Sequence, residues 1–291
     1  MILMFGVTGR IGRWMPLMLH ERGEQVRAVV RYPAAAREIL GQGASNLEFI
    51  QADATKPELW GRALAGVDRV YLALSTGNTR DEIAVVDAIA TSGCSRIVKV
   101  SGLGAAPDCT IPMGREHYLV EQHIEQAGLQ QTALRPSLMM PNLLGESRAA
   151  IQTGRLPSAA GNGRISWVHA RDVAAVAVAA LTQSGHEGQA YDVTGPEALT
   201  YHDLARILTS LLGRTVIYCP ITDDEYARQL REGGFPETAV EHLIAMYRNA
   251  VRTGYFDTIT DVVPSITGAP ARTFGQWVQE NAESFSVPAL P

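Results

Sequence analysis

The residues that most restrict what this chain can fold into are Gly6-Val-Thr-Gly9-Arg-Ile-Gly12, because of what flanks them. The run 2–7 is apolar and reads as a strand, and 11–21 places its apolar positions on one face of a helix. Gly6 permits a tight turn, Gly9 lets backbone approach a bulky group, and Gly12 allows helix and strand to pack closely. The N–H groups at a helix start carry partial positive charge and suit phosphates. A glycine triplet alone is a weak signal. Between a first strand and a first helix it points to a dinucleotide pyrophosphate, with Thr8, Arg10 and Ile11 completing the contacts of the loop.

The rest of the first half alternates in the same way. Strand-like runs cover 25–30, 47–51, 69–74, 97–101 and 131–135, and helical patterns cover 59–64, 82–90 and 115–126. Parallel neighbours need long crossovers, so this rhythm predicts an α/β fold, a Rossmann-type doubly wound parallel sheet with helices on both faces. After Pro136 the rhythm changes. A loop with a short helix is expected over 137–163, a short strand over 165–168, a helix over 172–181 and a strand over 189–193 that could rejoin the sheet. Helices follow over 201–212, 223–232 and 238–252, with a strand at 216–219, and 274–285 closes the chain. The expected division is a dinucleotide-binding core, 1–136, which 165–195 rejoins, and a smaller, mainly helical substrate lobe from 137–164 and 196–291.

Composition removes several chemistries. A formal net charge of −5 argues against nucleic-acid binding, which shows as a basic face. Cys94, Cys109 and Cys219 match no metal or redox spacing, so no metal is expected and a reducing, cytoplasmic setting fits. Lys56 and Lys99 are the only lysines, and no Gly-Lys-Ser/Thr exists, which excludes a Walker-type phosphate loop. Neither lysine has surroundings that suggest a pocket, so a Schiff base is not expected. The apolar run 173–181 is far short of the roughly 20 residues of a membrane span and reads as a buried helix. No signal peptide is expected from the opening residues. The expected state is a monomer or homodimer.

The second strand ends Ala28-Val-Val-Arg31. An NAD-preferring site places an acidic residue here for the ribose hydroxyls, whereas Arg31 offers a cationic fork to a 2′-phosphate. NADP(H) is therefore expected over NAD(H), with Arg10 and Arg37 as helpers. Asp53, followed by Ala54, could meet the adenine amino group or cap a helix. Leu74 and Ser75 follow the fourth strand and should lie beside ribose and pyrophosphate, because ligands bind beyond the carboxyl ends of strands.

Several segments then fall into one ordered set: Gly-x-Thr-Gly-x-x-Gly, Val-Val-Arg31, Gln-Ala-Asp53-Ala, Val-Ser101-Gly, Ala-Leu-Arg135-Pro136-Ser, Trp167-Val-His-Ala-Arg171-Asp172-Val-Ala, and Tyr-Asp-Val-Thr-Gly195-Pro-Glu-Ala-Leu-Thr-Tyr. Together they resemble the NmrA-like atypical short-chain dehydrogenases/reductases across almost the whole chain, nearest the quinone oxidoreductase and triphenylmethane-dye reductase branch. The resemblance implies a Rossmann core, NADP(H), and a substrate cleft between core and lobe, with Pro136 among the cofactor contacts. The family also holds regulators that bind dinucleotide without turnover.

Short-chain dehydrogenases generally use Tyr-x-x-x-Lys, in which lysine lowers the tyrosine pKa. Here Tyr118 is followed four residues on by Gln122, so that pair is not encoded. Ser101 matches the family's serine, and His117 with Glu121 matches its His-x-x-x-Glu pattern. His117 could donate to a substrate oxygen or serve structurally, bonded to Glu121. Activated acceptors need little acid help, so the missing pair fits a reductase of quinone-like or other conjugated molecules. Leu138, Met139, Met140 and Asn142 should line the cleft, and Trp167, Phe235 and Tyr247 could add flat apolar surface. His169, Arg171 and Asp172 read as structural, with Asp172 capping the following helix. The reading is an NADPH-dependent reductase; the alternative is a non-catalytic NADP(H) sensor acting through protein partners.

Overall fold

A computed structural model describes residues 1–45, 47–74 and 79–285. Its first half runs β1 (Ile2–Phe5), α1 (Met15–His20), β2 (Val26–Val30), α2 (Pro33–Leu40), β3 (Leu47–Gln51), β4 (Arg69–Leu72), α3 (Thr79–Ala90), β5 (Arg96–Val100), α4 (Pro112–Gln126) and β6 (Gln130–Pro136). The second half runs α5 (Pro141–Gln152), β7 (Arg155–Ser158), α6 (Ala170–Thr182), β8 (Ala190–Val193), α7 (Tyr201–Leu212), β9 (Ile217–Pro220), α8 (Asp223–Glu232), α9 (Glu237–Met246), α10 (Val262–Thr267) and α11 (Phe274–Glu280). Seven strands pair in parallel in the order β3-β2-β1-β4-β5-β6-β8, the doubly wound arrangement. Ile2, Leu3, Met4 and Phe5 are fully buried, as a central parallel strand covered on both faces requires.

One face of the sheet packs against α1 and α6, with Met15, Leu19, Val173 and Ala177 in a single apolar cluster. The other packs against α3 and α4 through Val85, Val86, Ile89, Val120 and Ile124. Helix α6 is buried nearly all round, from Val173 to Leu181, because it lies between the sheet and α10. A third cluster, around Trp167, Tyr201, Phe274 and Trp277, fills the lobe built on α5, α7, α8, α9 and the small β7–β9 sheet. Among the described residues no helix is long and apolar enough to cross a membrane.

Several local expectations are corrected. The helix expected over 59–64 is a single 3₁₀ turn, Pro57–Leu59. Gly61 turns left-handed (φ +52°), and Arg27 Nη1 donates to the carbonyls of Arg62, Ala63 and Ala65 at 2.9–3.1 Å. The segment 137–163 holds a full helix, α5, and a strand, β7, rather than a loop with a short helix. The strand expected over 165–168 makes only isolated bridges, Met139 with Val168 and Ile165 with Leu199. Asp172 does not cap α6; His169 does, its Nδ1 accepting from the Arg171 N–H at 3.0 Å. Asp172 instead accepts from the Arg272 backbone N–H and guanidinium, tying α6 to the segment before α11.

Candidate active site

Chain direction across the sheet reverses between β1 and β4, which leaves a crevice beyond their carboxyl ends. Gly6 follows β1 with φ +86°, and a Cβ there would sit 2.1 Å from the Ala73 carbonyl oxygen, just past β4. A Cβ on Gly12 would sit 2.2 Å from the Gly6 carbonyl oxygen. On Gly9 it would meet only that same oxygen, at 3.1 Å, so this part of the loop presents bare backbone. The first and third glycines close the turn and the second leaves it open.

From this loop a cleft of about 730 Å³ runs toward the C-terminal lobe. Gly6, Gly9, Arg10, Ile11, Gly12 and Leu74 line one end. Ser101, His117, Pro136, Leu138, Met139 and Asn142 line the middle, and Phe235, His242, Leu243, Met246 and Phe256 the lobe side. Arg10 donates to Asn142 Oδ1 at 2.7 Å, joining the glycine loop to α5. Thr8 is half-buried in the loop, off the cleft lining. Arg31 is exposed at the end of β2, its guanidinium 6.0 Å from the Tyr32 ring. Asp53 closes a turn by accepting from the Thr55 N–H (3.0 Å) and hydroxyl (2.9 Å), with Ala54 inside that turn, and caps no helix. Ser75 lies outside the described residues.

Three residues expected at the substrate do not reach the cleft. Met140 is fully buried against the lobe core. Trp167 is 1% exposed, with its ring edge-on to Tyr201 at 6.1 Å, and its backbone presses on Gly195. Tyr247 is also 1% exposed, its hydroxyl 2.5 Å from that of Tyr201. A large aromatic in this lobe is drawn into its own core, because burying its area there gains more than half-exposure in a cleft.

Behind the wall of the cleft lies a polar group that the sequence partly hid. Ser101 donates to Glu121 Oε1 at 2.5 Å, and Arg135 grips Glu121 from the other side at 2.5 and 3.1 Å. Glu121 is therefore occupied with Ser101 and Arg135, and it is not the partner of His117. That partner is Lys99, whose Nζ lies 3.2 Å from His117 Nδ1. Lys99 is fully buried, and its Nζ also reaches Glu82 Oε2 at 3.4 Å and donates to the Val100 carbonyl at 2.9 Å. The reading that neither lysine lies near a pocket is thus corrected for Lys99. The signal was a lysine inside the apolar central run Arg96-Ile-Val-Lys99-Val, where a buried charge demands partners.

Burial, then the Lys99 charge, then His242, push the His117 pKa down to about 3, so its imidazole is neutral at physiological pH. Burial also pulls the Lys99 pKa down and the Glu82 pKa up, each opposed by the attraction of the other. Two further polar atoms beside the cleft are buried with no hydrogen-bond partner among the described residues: Tyr71 Oη from β4 and His242 Nδ1 from α9. Neither Tyr71 nor His242 carries any motif that sequence reasoning could have used.

The model of the NmrA-like family matches residues 1–272. The chain belongs to that family. It is 36% identical to an NAD(P)H azoreductase of Xenophilus azovorans, over 98% of this chain and 99% of the relative. It is 34% identical to a (4-alkanoyl-5-oxo-2,5-dihydrofuran-3-yl)methyl phosphate reductase of Streptomyces griseus, over 98% and 99%. An NADPH-dependent quinone oxidoreductase from Escherichia coli, solved with NADPH, superposes with a TM-score of 0.85 at 27% identity, covering 96% of this chain and 99% of that one. The solved quinone oxidoreductase shares the overall fold described above.

Proposed function

We propose that this chain is an NADPH-dependent reductase that delivers hydride to a neutral, conjugated small molecule of the quinone or azo kind. The observation that carries this reading is the continuity of the cleft, from bare glycine backbone at the β1–β4 crevice to an apolar wall around a neutral imidazole. Relatives of full length named as azoreductase and quinone oxidoreductase support it. The glycine cradle fits a dinucleotide, because side chains at Gly6 or Gly12 would fill it and none stands over Gly9. Gly6, Gly9, Arg10, Ile11 and Gly12 would hold the pyrophosphate, and exposed Arg31 would meet the 2′-phosphate.

NADPH, when bound, supplies the hydride. The chain supplies position and a dry environment. Leu138, Met139, Leu243, Met246 and Phe256 exclude water, and methionines adapt to flat ligands. Phe235, Ala239, His242, Leu243 and Met246 carry no fixed charge, which selects an uncharged acceptor over a phosphate ester. His117 points the group most suited to hydrogen-bond an acceptor oxygen or nitrogen as negative charge grows there.

The test follows NADPH oxidation, with NADH alongside, against a panel of quinones, azo dyes and phosphorylated enones. Acceptor-dependent consumption, fastest with neutral acceptors, is expected. Tight NADPH binding with no turnover on any of them would replace this reading with that of a dinucleotide sensor.

A further inference from the structure

We propose that Lys99 is a positioning residue for the reduction: from behind the cleft wall it holds His117 as the tautomer protonated on Nε2 and replaces the proton that His117 gives to the acceptor. This inference rests on the reductase reading above and names a residue outside the Tyr-x-x-x-Lys and His-x-x-x-Glu patterns.

The geometry fixes the tautomer. An ammonium has three donors and no acceptor. Lys99 Nζ has three acceptors within reach: the Val100 carbonyl at 2.9 Å, His117 Nδ1 at 3.2 Å and Glu82 Oε2 at 3.4 Å. All three donors are used when Nδ1 accepts, which leaves the imidazole hydrogen on Nε2. Nε2 has no hydrogen-bond partner among the described residues, and the ring edge that carries it passes beside Gly102 in the cleft lining. The buried carboxylate of Glu82, on α3, lies 3.4 Å from Nζ and favours the charged lysine, opposing the burial that pulls its pKa down. The other titratable groups around the pair are Glu116 and Glu121 on α4 and His242 on α9.

The step balances as follows. With NADPH bound, the acceptor would take up two electrons and one hydrogen, and its oxygen or nitrogen would become anionic. The His117 Nε2–H bond breaks as an O–H or N–H bond forms on the acceptor. One N–H bond of Lys99 breaks as the Nδ1–H bond forms, so the imidazole stays neutral and the lysine becomes an amine beside Glu82. Once the product has left, solvent entering the cleft returns a proton to Nε2, and the Nδ1 proton goes back to the amine. A neutral histidine thereby acts as an acid without ever becoming imidazolium, which its surroundings forbid. The lysine that the general short-chain dehydrogenase pattern would place on α4 is delivered here from strand β5.

Two measurements test this. In ¹⁵N-histidine-labelled protein, assigned with His117→Gln, His117 should show an unprotonated Nδ1 and a protonated Nε2 that do not change between pH 6 and 8. In the double variant Lys99→Met/Glu82→Gln, which removes both buried charges together, kcat should fall by roughly 10²-fold or more. The KM for acceptor should stay near wild type, and kcat should now decline as pH rises, because solvent must supply the proton. A proton on Nδ1 in the wild type overturns the proposal, as does a folded double variant with wild-type kcat and pH profile. If the wild type reduces no acceptor, the reductase reading fails instead, and the nitrogen spectra still decide the tautomer.

Discussion

Arg31 and His242 make opposite kinds of claim on their ligands. Arg31 is exposed at the end of β2, and on the proposed reading it adds binding energy only when a 2′-phosphate is present. A charge-assisted contact contributes about 1.5–3 kcal/mol. Arg31→Ala should therefore raise the Kd for NADPH by about 10- to 100-fold. Its effect on the Kd for NADH should be small, and titration of both cofactors by calorimetry separates the cases. His242 is the reverse, with a buried Nδ1 that has no hydrogen-bond partner among the described residues. An unsatisfied buried group costs about 1–3 kcal/mol, which a bound acceptor would relieve. His242→Leu should raise the melting temperature slightly and raise the acceptor KM about tenfold, with the NADPH KM unchanged. A drop in melting temperature would mean the imidazole is satisfied in the free protein.

At the scale of elements, α6 is held by one ion pair whose weight comes from burial. Asp172 is 1% exposed and takes both the backbone N–H and the guanidinium of Arg272. Asp172→Ala leaves those donors without their acceptor and should destabilise the fold by about 3–5 kcal/mol, lowering the melting temperature by about 10 °C. The same substitution at Asp203, whose pair with Arg206 lies at the surface, touches a contact worth under about 1 kcal/mol, though it also removes a capping box. The elements themselves were readable where local pattern and burial agree. Strands β1, β2, β5 and β6 and helices α3, α4 and α7 emerge from periodicity, and the glycine loop from its spacing. Helix α5 did not, because Pro141, Gly145 and Ser147 look like loop residues until Pro141 is seen to occupy the first helical turn, where its missing N–H does no harm. The turn after Pro57 was misjudged because the residue that consumes its carbonyls, Arg27, is distant in sequence. The candidate site divides likewise. Its glycines and His117 follow motifs, whereas the Lys99 contact to His117 and the buried His242 Nδ1 arise only when β5, α4 and α9 converge. Trp167 and Tyr247 misled for the converse reason, since aromatic content does not say which side of a wall a ring faces.

For the molecule as a whole, buried imidazoles make stability depend on mild acid. His117, His169 and His242 all have folded-state pKa values depressed chiefly by burial. Above pH 6.5 these groups are neutral in both folded and unfolded chains and contribute nothing. Below it the unfolded chain binds protons that the fold refuses, so stability falls with decreasing pH. For His117, with a folded value of about 3, the loss should approach 2 kcal/mol at pH 5. The difference in urea-unfolding free energy between wild type and His117→Gln, measured from pH 7 to 5, should change by that amount, and a parallel pair of curves would show that the imidazole is not excluded from protonation. The pattern of tryptophans has an optical consequence. Trp60, Trp167 and Trp277 are 1–2% exposed, while Trp14 is 36% exposed, two residues past Gly12, and 5.5 Å from the Arg171 guanidinium. Emission at the red edge, and the fraction that acrylamide quenches, should therefore come mainly from this one indole in the turn that follows the glycine loop. The folded chain therefore carries one solvent-accessible indole next to its glycine loop, readable with no label attached.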